Sequence, residues 1–230
     1  MKVVTETHFV RKNQILDTAE DFFFKKGFAK TTIVDIINKI DIANGTFYHY
    51  FKSKDELLMS IINRELEETE KGLAEIVDNP ELSAIDKFNN IYDRSVKIRI
   101  KNRERTKMLL RVLYLNEDNI IFLHKKHKEY IRRVTPIFTK LLKQGNAEGT
   151  FDIVSPQFTA ELILNIGGQI DEAFAHFLEA EPPQTSDKEI LIEKYQAYSL
   201  AVHRLLGISD GSLRIINMKS IEIFFGDAQN

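Results

Sequence analysis

Apolar side chains recur every three or four positions along most of this chain, which is the spacing of one face of an α-helix. A first helix is predicted over residues 9–26, with Gly27 as its C-terminal stop. A short helix then begins at Thr31 or Thr32 and ends at Ile40. No run of alternating polar and apolar residues of strand length is apparent, and the fold class that follows is all-α.

A tight turn and a second short helix are expected after Ile40. Asp41 lies where a left-handed backbone is needed, and the next helix runs from Asn44 to about Tyr50 with Phe47 on its inner side. Gly45 in its first turn costs up to about 1 kcal/mol relative to alanine, which is easiest to explain if an outside partner approaches the backbone closely. The opposite side carries Asn44, Thr46, Tyr48 and His49.

A third helix of this region is predicted to begin at Lys54, because Ser53 and Glu56 have the spacing of a capping box. Its first amides and the lysine charge suit a phosphate group. Its apolar face should consist of Leu57, Leu58, Ile61, Ile62 and Leu66 before residues 79–80, Asn-Pro, end it near Asp78.

Two short helices around a turn, followed by a capped helix, form the arrangement that places a helix in the major groove of DNA. We therefore predict a helix-turn-helix DNA-binding domain over residues 1–53 and a helical regulatory and dimerisation domain over residues 54–230. Movement of the helix that begins at Lys54 is the expected link between the two.

The N-terminal quarter resembles the DNA-binding domain of the TetR family of transcriptional regulators. This resemblance implies a homodimeric, all-helical repressor that is controlled by a small ligand and binds a pseudo-palindromic operator in double-stranded DNA. The matching positions are Gly27-Phe28, Thr31-Thr32, Asp35-Ile36, Gly45-Thr46, Tyr48-His49-Tyr50-Phe51 and Ser53-Lys54.

The resemblance also implies roles for single residues. Base-facing positions of the family fall on Asn44 and Thr46, and Gly45 lies between them. Phosphate-facing positions fall on Thr32, Tyr48, His49 and Lys54.

The chain departs from the family pattern at two places. Asp41 stands where the family commonly has glycine, and Ala43-Asn44 replaces a serine followed by a basic residue. Alanine cannot cap a helix, so the side chain of Asp41 or Asn44 is expected to cover the first amides instead. Asn44 also suits a bidentate contact to adenine.

Charge is distributed unevenly along the 230 residues, although the net charge is only −2. Residues 1–54 hold nine basic and six acidic residues, a net +3, and residues 55–230 hold 23 and 28, a net −5. The basic end is thus the end with the helix-turn-helix pattern, as attraction to phosphates requires. The chain has no cysteine, which excludes disulfides and thiolate metal sites. No apolar run is long enough to span a membrane and no signal peptide is evident, so a cytoplasmic protein is expected.

The C-terminal part is expected to be helical almost throughout. In the resembling family the last two long helices of each subunit form the dimer interface, although here they also fit an ordinary core. Pro136 is expected to kink or divide its helix, and residues 212–225 fit either a terminal helix or an extended edge. The predicted helices are residues 82–101, 104–115, 118–144, 156–179 and 188–206, with a loop at 181–187.

An effector site is predicted where polar residues lie among apolar ones on the central helices. Each of these residues also fits a surface or core position. Gly167-Gly168 inside a helix favours close helix packing over space for a ligand. The effector candidates are Tyr92, Arg99, Arg111, Tyr114, Asn165, Gln169 and Glu172.

Other readings remain open at this point. The basic run from Arg94 to Arg111 fits a solvated face, or a site for an anionic effector or a second phosphate contact. His124 and His127 lie one helical turn apart, but no third metal ligand is evident, so neither a metal nor a cofactor is expected. A regulator that docks a protein partner, an activator, and an enzyme without a known motif are the alternatives to a ligand-released repressor.

Overall fold

The fold was obtained as a computed structural model, which describes residues 2–115, 120–179 and 185–215. Within these residues it consists of nine α-helices and no strand, as the all-α prediction requires. The chain forms two compact units, residues 1–68 and 69–230. The helices are α1 (Lys2–Lys26), α2 (Ile33–Ile40), α3 (Asn44–Tyr50), α4 (Lys54–Val77), α5 (Ala84–Lys101), α6 (Arg103–Tyr114), α7 (Ile120–Ala147), α8 (Pro156–Glu179) and α9 (Thr185–Leu206).

The first unit packs α1, α2, α3 and the beginning of α4 around one apolar core. All five apolar residues predicted for the inner face of α4 are buried, and Ile15, Ala19 and Phe23 of α1 pack with them. Phe22 is only half-buried, and Leu16 is buried in addition. The core side chains are Ile15, Leu16, Ala19, Phe23, Ile36, Ile37, Phe47, Phe51, Leu57, Leu58, Ile61, Ile62 and Leu66.

The beginning and end of α2 follow the sequence prediction. Thr32 is the N-cap: its hydroxyl accepts from the Asp35 amide at 3.1 Å, and the Asp35 carboxylate accepts from the Thr32 amide at 2.7 Å. Lys26 lies 2.6 Å from the same carboxylate, and these bonds together lower the pKa of Asp35 to about 2. At the other end Asp41 has a φ of 50° and a ψ of 60°, the left-handed conformation expected for the turn.

The capping box predicted at the start of α4 is only half formed. The Ser53 hydroxyl accepts from the Glu56 amide at 3.1 Å, as predicted. The Glu56 carboxylate, however, accepts from the Lys52 amide at 2.7 Å instead of the Ser53 amide. The Glu56 carboxylate therefore covers the backbone amide one residue before the one that a complete capping box would cover.

Several boundaries differ from the prediction. Helix α1 begins at Lys2 instead of residue 9, because no proline or glycine precedes Gly27 to stop it. Helix α9 begins at Thr185 and takes in the last residues of the predicted loop 181–187, while residues 181–184 lie outside the described part. The compact units divide after Glu68, inside α4.

Helix α7 runs through Pro136 without division, so of the two predicted outcomes the division is absent. Gly145 lies inside this helix, and a Cβ there would overlap the Phe151 ring. Gly149, with a φ of 68°, follows the end of the helix. The role of Gly145 is therefore to admit a large aromatic side chain.

The second unit packs the end of α4 and α5–α9 around a larger core that contains Phe88, Leu141, Ile163 and Phe174. The stretch 207–215 is neither helix nor strand, and its Leu213 is buried. The beginning of the segment 212–225 therefore forms neither of the two predicted elements, and residues 216–225 lie outside the described part.

The inner face of α9 packs within its own unit. Leu191, Tyr198 and Val202 are buried there, which corresponds to the core alternative for these side chains. Other apolar side chains of α8 and α9 point outward: Phe158 is 66% exposed, Leu162 50%, Ile190 53% and Leu200 38%. Among the described residues, no helix is long and apolar enough to cross a membrane.

Arg64 of α4 connects to α1 through two carboxylates. It donates to Asp17 at 2.6 Å and to Glu20 at 2.8 Å. Asp17 is 67% exposed, whereas the Glu20 side chain is only 15% exposed.

We expect Arg64→Ala to lower the free energy of unfolding of the first unit by about 1–2 kcal/mol, because hydrogen bonds to a shielded carboxylate are lost. Asp17→Ala, which removes only the solvent-screened partner, should cost less than about 0.5 kcal/mol. Hydrogen exchange of the α1 amides measures both variants. Equal losses in the two variants would show that the Glu20 contact contributes nothing.

Candidate functional site

Helix α3 has one buried side and one open side. Phe47 is fully buried, and Phe51, at the residue after the helix, is 1% exposed. The two rings lie 5.9 Å apart, and Tyr48 is 49% exposed with its ring edge toward Phe47. The side turned to solvent carries Asn44, Gly45, Tyr48 and His49, with Thr46 half-buried beside them.

Gly45 is not required by the fold of its own chain. A Cβ added there would meet no atom within 4 Å, and its backbone is not in the left-handed region. Glycine at this position therefore lowers the stability of the helix, and no contact in the described part of the chain requires it. This is expected if an outside molecule comes close to the backbone.

The N-terminus of α3 has no side-chain cap. Ala43 is the N-cap residue and makes no capping bond. Within the described residues, neither the Asp41 nor the Asn44 side chain makes a hydrogen bond, so the predicted substitute cap is absent. The Asn44 amide group is thus left available for an external contact.

Lys54 lies in a different environment from the one predicted. Its ammonium donates to the carbonyl oxygens of Phe28 at 2.8 Å, Thr31 at 2.9 Å and Ala29 at 3.4 Å. It also lies 4.3 Å from the centre of the Phe28 ring, and burial lowers its pKa. Because an ammonium has three protons, these carbonyls use all of its donors. The predicted phosphate contact would require one of these bonds to break.

Two other predicted phosphate contacts have neighbours within the unit. The Thr32 hydroxyl is occupied by Asp35 in the capping box. The His49 ring lies 5.8 Å from the His8 ring, which also contacts Tyr50 at 4.6 Å. Sequence reasoning missed His8, because the start of α1 was placed one residue after it. The uninterrupted helical run before Gly27 was the signal that could have found it.

This arrangement is a helix-turn-helix unit with an exposed second helix, the geometry that enters the major groove. A family model described as bacterial regulatory proteins, tetR family, matches residues 15–61. The chain belongs to the TetR family. It is a DNA-binding transcriptional regulator with an N-terminal helix-turn-helix domain and a helical C-terminal domain.

Two regulators of Bacillus subtilis are similar to this TetR-family chain over very different lengths. The uncharacterized HTH-type transcriptional regulator YfiR of Bacillus subtilis is 28% identical over 182 residues, 76% of this chain and 85% of YfiR. YerO from the same organism, also an HTH-type transcriptional regulator, is 48% identical over 50 residues, 22% of this chain and 17% of YerO. These relatives carry the names of regulators and not of enzymes.

A solved structure of a TetR-family transcriptional regulator from Pectobacterium atrosepticum has the same fold. Its TM-score is 0.63 at 20% identity, and the alignment covers 85% of this chain and 94% of that one. At this identity the likeness concerns the fold alone.

The structure brings three of the seven effector candidates together in the second unit. Arg99 donates to Asp171 at 2.5 Å, and the hydroxyls of Tyr92 and Tyr198 lie 2.5 Å apart. Tyr114 is close enough to Asp171 and Arg99 for their charges to act on it. The other four candidates, Arg111, Asn165, Gln169 and Glu172, are on the exposed surface.

We call this group the tyrosine cluster: Tyr92, Tyr114, Tyr130, Tyr195 and Tyr198 around the Arg99–Asp171 pair. Sequence reasoning missed Tyr130 and Asp171, and it placed Tyr195 and Tyr198 only on a helix, 188–206, that fits a dimer interface or an ordinary core. The spacing of aromatic residues on α9 was visible, but spacing alone does not show which neighbour a helix face meets.

The glycine pair of α8 has close neighbours. A Cβ on Gly168 would lie 3.2 Å from the His127 ring, and one on Gly167 would lie 3.4 Å from the Tyr198 hydroxyl. Both contacts agree with the packing interpretation. His127 also pairs with Asn165 at 2.8 Å, and the described residues contain no group of three side chains suited to a metal.

The basic run does not form one face. Arg99 points to Asp171, Arg94 lies 3.8 Å from Glu75, and Lys107 lies 3.6 Å from Glu104. The run is thus divided between ion pairs within the second unit. A further phosphate or anionic effector contact by these residues stays a prediction.

We expect Gly45→Ala to raise the stability of the first unit by up to about 1 kcal/mol and to weaken DNA binding at least about tenfold. The added methyl group meets nothing in the free protein but would keep duplex DNA away from the helix. Thermal unfolding and fluorescence anisotropy with a selected operator duplex measure the two effects. Unchanged DNA affinity in a stabilised variant would contradict close approach at this position.

Proposed function

We propose that this chain is a homodimeric, cytoplasmic repressor that binds a pseudo-palindromic operator and leaves it when a small molecule binds the second unit. The observation that carries the proposal is helix α3, whose inner side is anchored by Phe47 while its polar side is open. Repression follows when the operator overlaps a promoter, and the position of the operator decides between repression and activation.

On DNA, we assign base contacts to Asn44 and Thr46 at the start of α3. Asn44 is exposed and its side-chain amide makes no bond within the described part of the chain, so it can pair with both the N6 and N7 atoms of adenine. We assign phosphate contacts to Tyr48 and His49 on the same helix. We assign them also to Thr32 and Lys54, which would exchange a hydrogen bond to Asp35 and to a carbonyl oxygen, respectively, for the phosphate. Gly45 admits the backbone of DNA or a base edge between these contacts.

Two copies of α3 are needed because a single helix of seven residues makes few base contacts. A two-fold pair reads two major-groove segments about 34 Å apart and roughly doubles the binding free energy. The outward apolar side chains of α8 and α9 support a dimer through these helices, since exposed apolar surface of this kind marks an interface. Phe158, Leu162, Ile190 and Leu200 are the side chains that we place there.

Release by an effector requires that the effector bind one spacing of the two reading helices more tightly than the other. The tyrosine cluster supports an effector site in the second unit, because it brings polar groups together from five helices inside an apolar core. It favours a small ligand over a docked protein partner, which would need its contacts on the outer surface.

Selection of bound genomic fragments gives the operator, and two variants then separate the assigned roles. Asn44→Ala should lose about 1–3 kcal/mol of binding free energy and tolerate other bases at one position of each half-site. Tyr48→Phe should weaken binding by a similar factor on every duplex tested. If Asn44→Ala lost affinity equally on all sequences, Asn44 would not read a base.

Lys54→Ala tests the phosphate assignment through the salt dependence of binding. A lost phosphate contact reduces the slope of log affinity against log salt by about one unit. The matched variant Lys52→Ala changes an exposed lysine two residues earlier and controls for net charge. An unchanged slope together with lower stability of the first unit would assign Lys54 to holding the carbonyls of residues 28–31 instead.

Leu162→Asp should convert the dimer to a monomer and lower operator affinity at least about 100-fold, because each half-site is then bound alone. Ile98→Asp, a change at a comparably exposed apolar residue of α5, should leave both properties unchanged. Sedimentation velocity and anisotropy measure the two variants. A Leu162→Asp protein that remains dimeric would remove α8 from the interface.

A further inference from the structure

The tyrosine cluster combines an ion pair with aromatic walls. The Arg99 guanidinium lies 5.7 Å from the centre of the Phe174 ring, and this ring lies 5.5 Å from that of Tyr195. On the other side the Tyr92 ring lies 6.4 Å from the Tyr198 ring and stacks on Phe88 at 5.5 Å. Helices α5, α6, α7, α8 and α9 each contribute at least one side chain to the cluster.

Hydrogen-bond donors in the cluster outnumber their partners. Arg99 uses one of its five N–H groups on Asp171, and one of the two hydroxyls of Tyr92 and Tyr198 donates to the other. Within the part of the chain that the structure describes, the hydroxyls of Tyr114, Tyr130 and Tyr195 make no hydrogen bond. These half-buried hydroxyls are therefore available to an acceptor from outside the chain.

The three tyrosines with unpaired hydroxyls are shielded from water. Burial raises the pKa of Tyr130 to about 12, and it also raises the pKa of Tyr114 and Tyr195. All three side chains are half-buried, so each keeps some surface open to a ligand.

The charge in this space is already balanced. Arg99 and Asp171 neutralise each other, and Asp171 holds the pKa of Arg99 above its ordinary value. Glu172, the acidic neighbour in sequence, is exposed, and its charge acts on Tyr114. A ligand with a net charge of either sign would therefore find no uncompensated countercharge in the Arg99–Asp171 pair.

We propose that the tyrosine cluster binds an uncharged aromatic compound that carries a carbonyl oxygen, and that this compound is the effector class of the regulator. The aromatic walls stack on a flat ring system, and the free N–H and O–H groups donate to the oxygen. This inference rests on the proposed function for its biological meaning, but binding itself can be measured without DNA.

Three probes with the same naphthalene body test the charge argument: 2-acetonaphthone, 2-naphthoate and 2-naphthylmethylammonium. Isothermal titration of the full-length protein should show the ketone binding at least tenfold more tightly than either ion. Absence of ketone binding, or equal or tighter binding of one ion, would overturn the proposal.

Variants of the Arg99–Asp171 pair should change which of the three probes binds most tightly. Asp171→Asn leaves the Arg99 charge uncompensated and should make 2-naphthoate the tightest of the three probes. Arg99→Gln should likewise favour the ammonium, and the double variant should return to the ketone. Circular dichroism checks that each variant folds, and the double variant carries the test if a single variant does not. An unchanged order of the probes in the folded variants would exclude the ion pair from the site.

A milder variant tests the donors alone. Tyr130→Phe and Tyr195→Phe each remove one hydroxyl and should weaken ketone binding about threefold to tenfold, while Tyr50→Phe in the first unit should not. Unchanged affinity in both cluster variants would remove the hydroxyls from the site.

Operator release is measured separately by adding the ketone to the protein–operator complex. Selective ketone binding without release would contradict the proposed function and leave the inference intact. A compound from a fragment screen could instead release the operator and bind the Asp171 and Arg99 variants as tightly as the unchanged protein. That result would contradict the inference and leave the proposed function intact.

Discussion

The burial of Phe47 decides how the first unit presents its polar residues. A helix of only seven residues has little stability of its own, so its orientation depends on the one face that it buries. With Phe47 and Phe51 in the core, Asn44 and Tyr48 remain exposed and Thr46 is half-buried. The cap at Thr32 begins α2 and the left-handed residue Asp41 ends it, so together they set where α3 starts. The DNA-binding role depends on that position.

Most of the first unit could be predicted from the sequence, because local rules agree there. The cap at Thr32, the turn at Asp41 and the apolar face of α4 each follow from a few neighbouring residues. The predictions that were wrong concern polar groups with several nearly equivalent hydrogen-bond partners. The Glu56 carboxylate takes the Lys52 amide instead of its neighbour, and the Lys54 ammonium takes three carbonyls from residues far away in sequence.

The second unit could be predicted as a set of helices but not as a site. Helical spacing shows that Tyr195 and Tyr198 share a face of α9. It does not show that Tyr198 bonds to Tyr92 of α5, about a hundred residues away, or that the Tyr195 ring packs against Phe174 of α8. The contact between Arg99 and Asp171 likewise joins two helices with no local signal. A basic residue in a dense basic run gives no sign that it faces an acidic partner on another helix, and this is why the run fitted a solvated face as well as an anion site.

The separation of buried and exposed residues on α3 has a consequence for engineering. The side chains that anchor this helix and those that face outward belong to different residues, and Gly45 and Asn44 have no partner among the residues that the structure describes. Randomising the outward positions should therefore yield libraries in which most members still fold. Such libraries would allow the regulator to be retargeted to new promoters as a biosensor without rebuilding its scaffold.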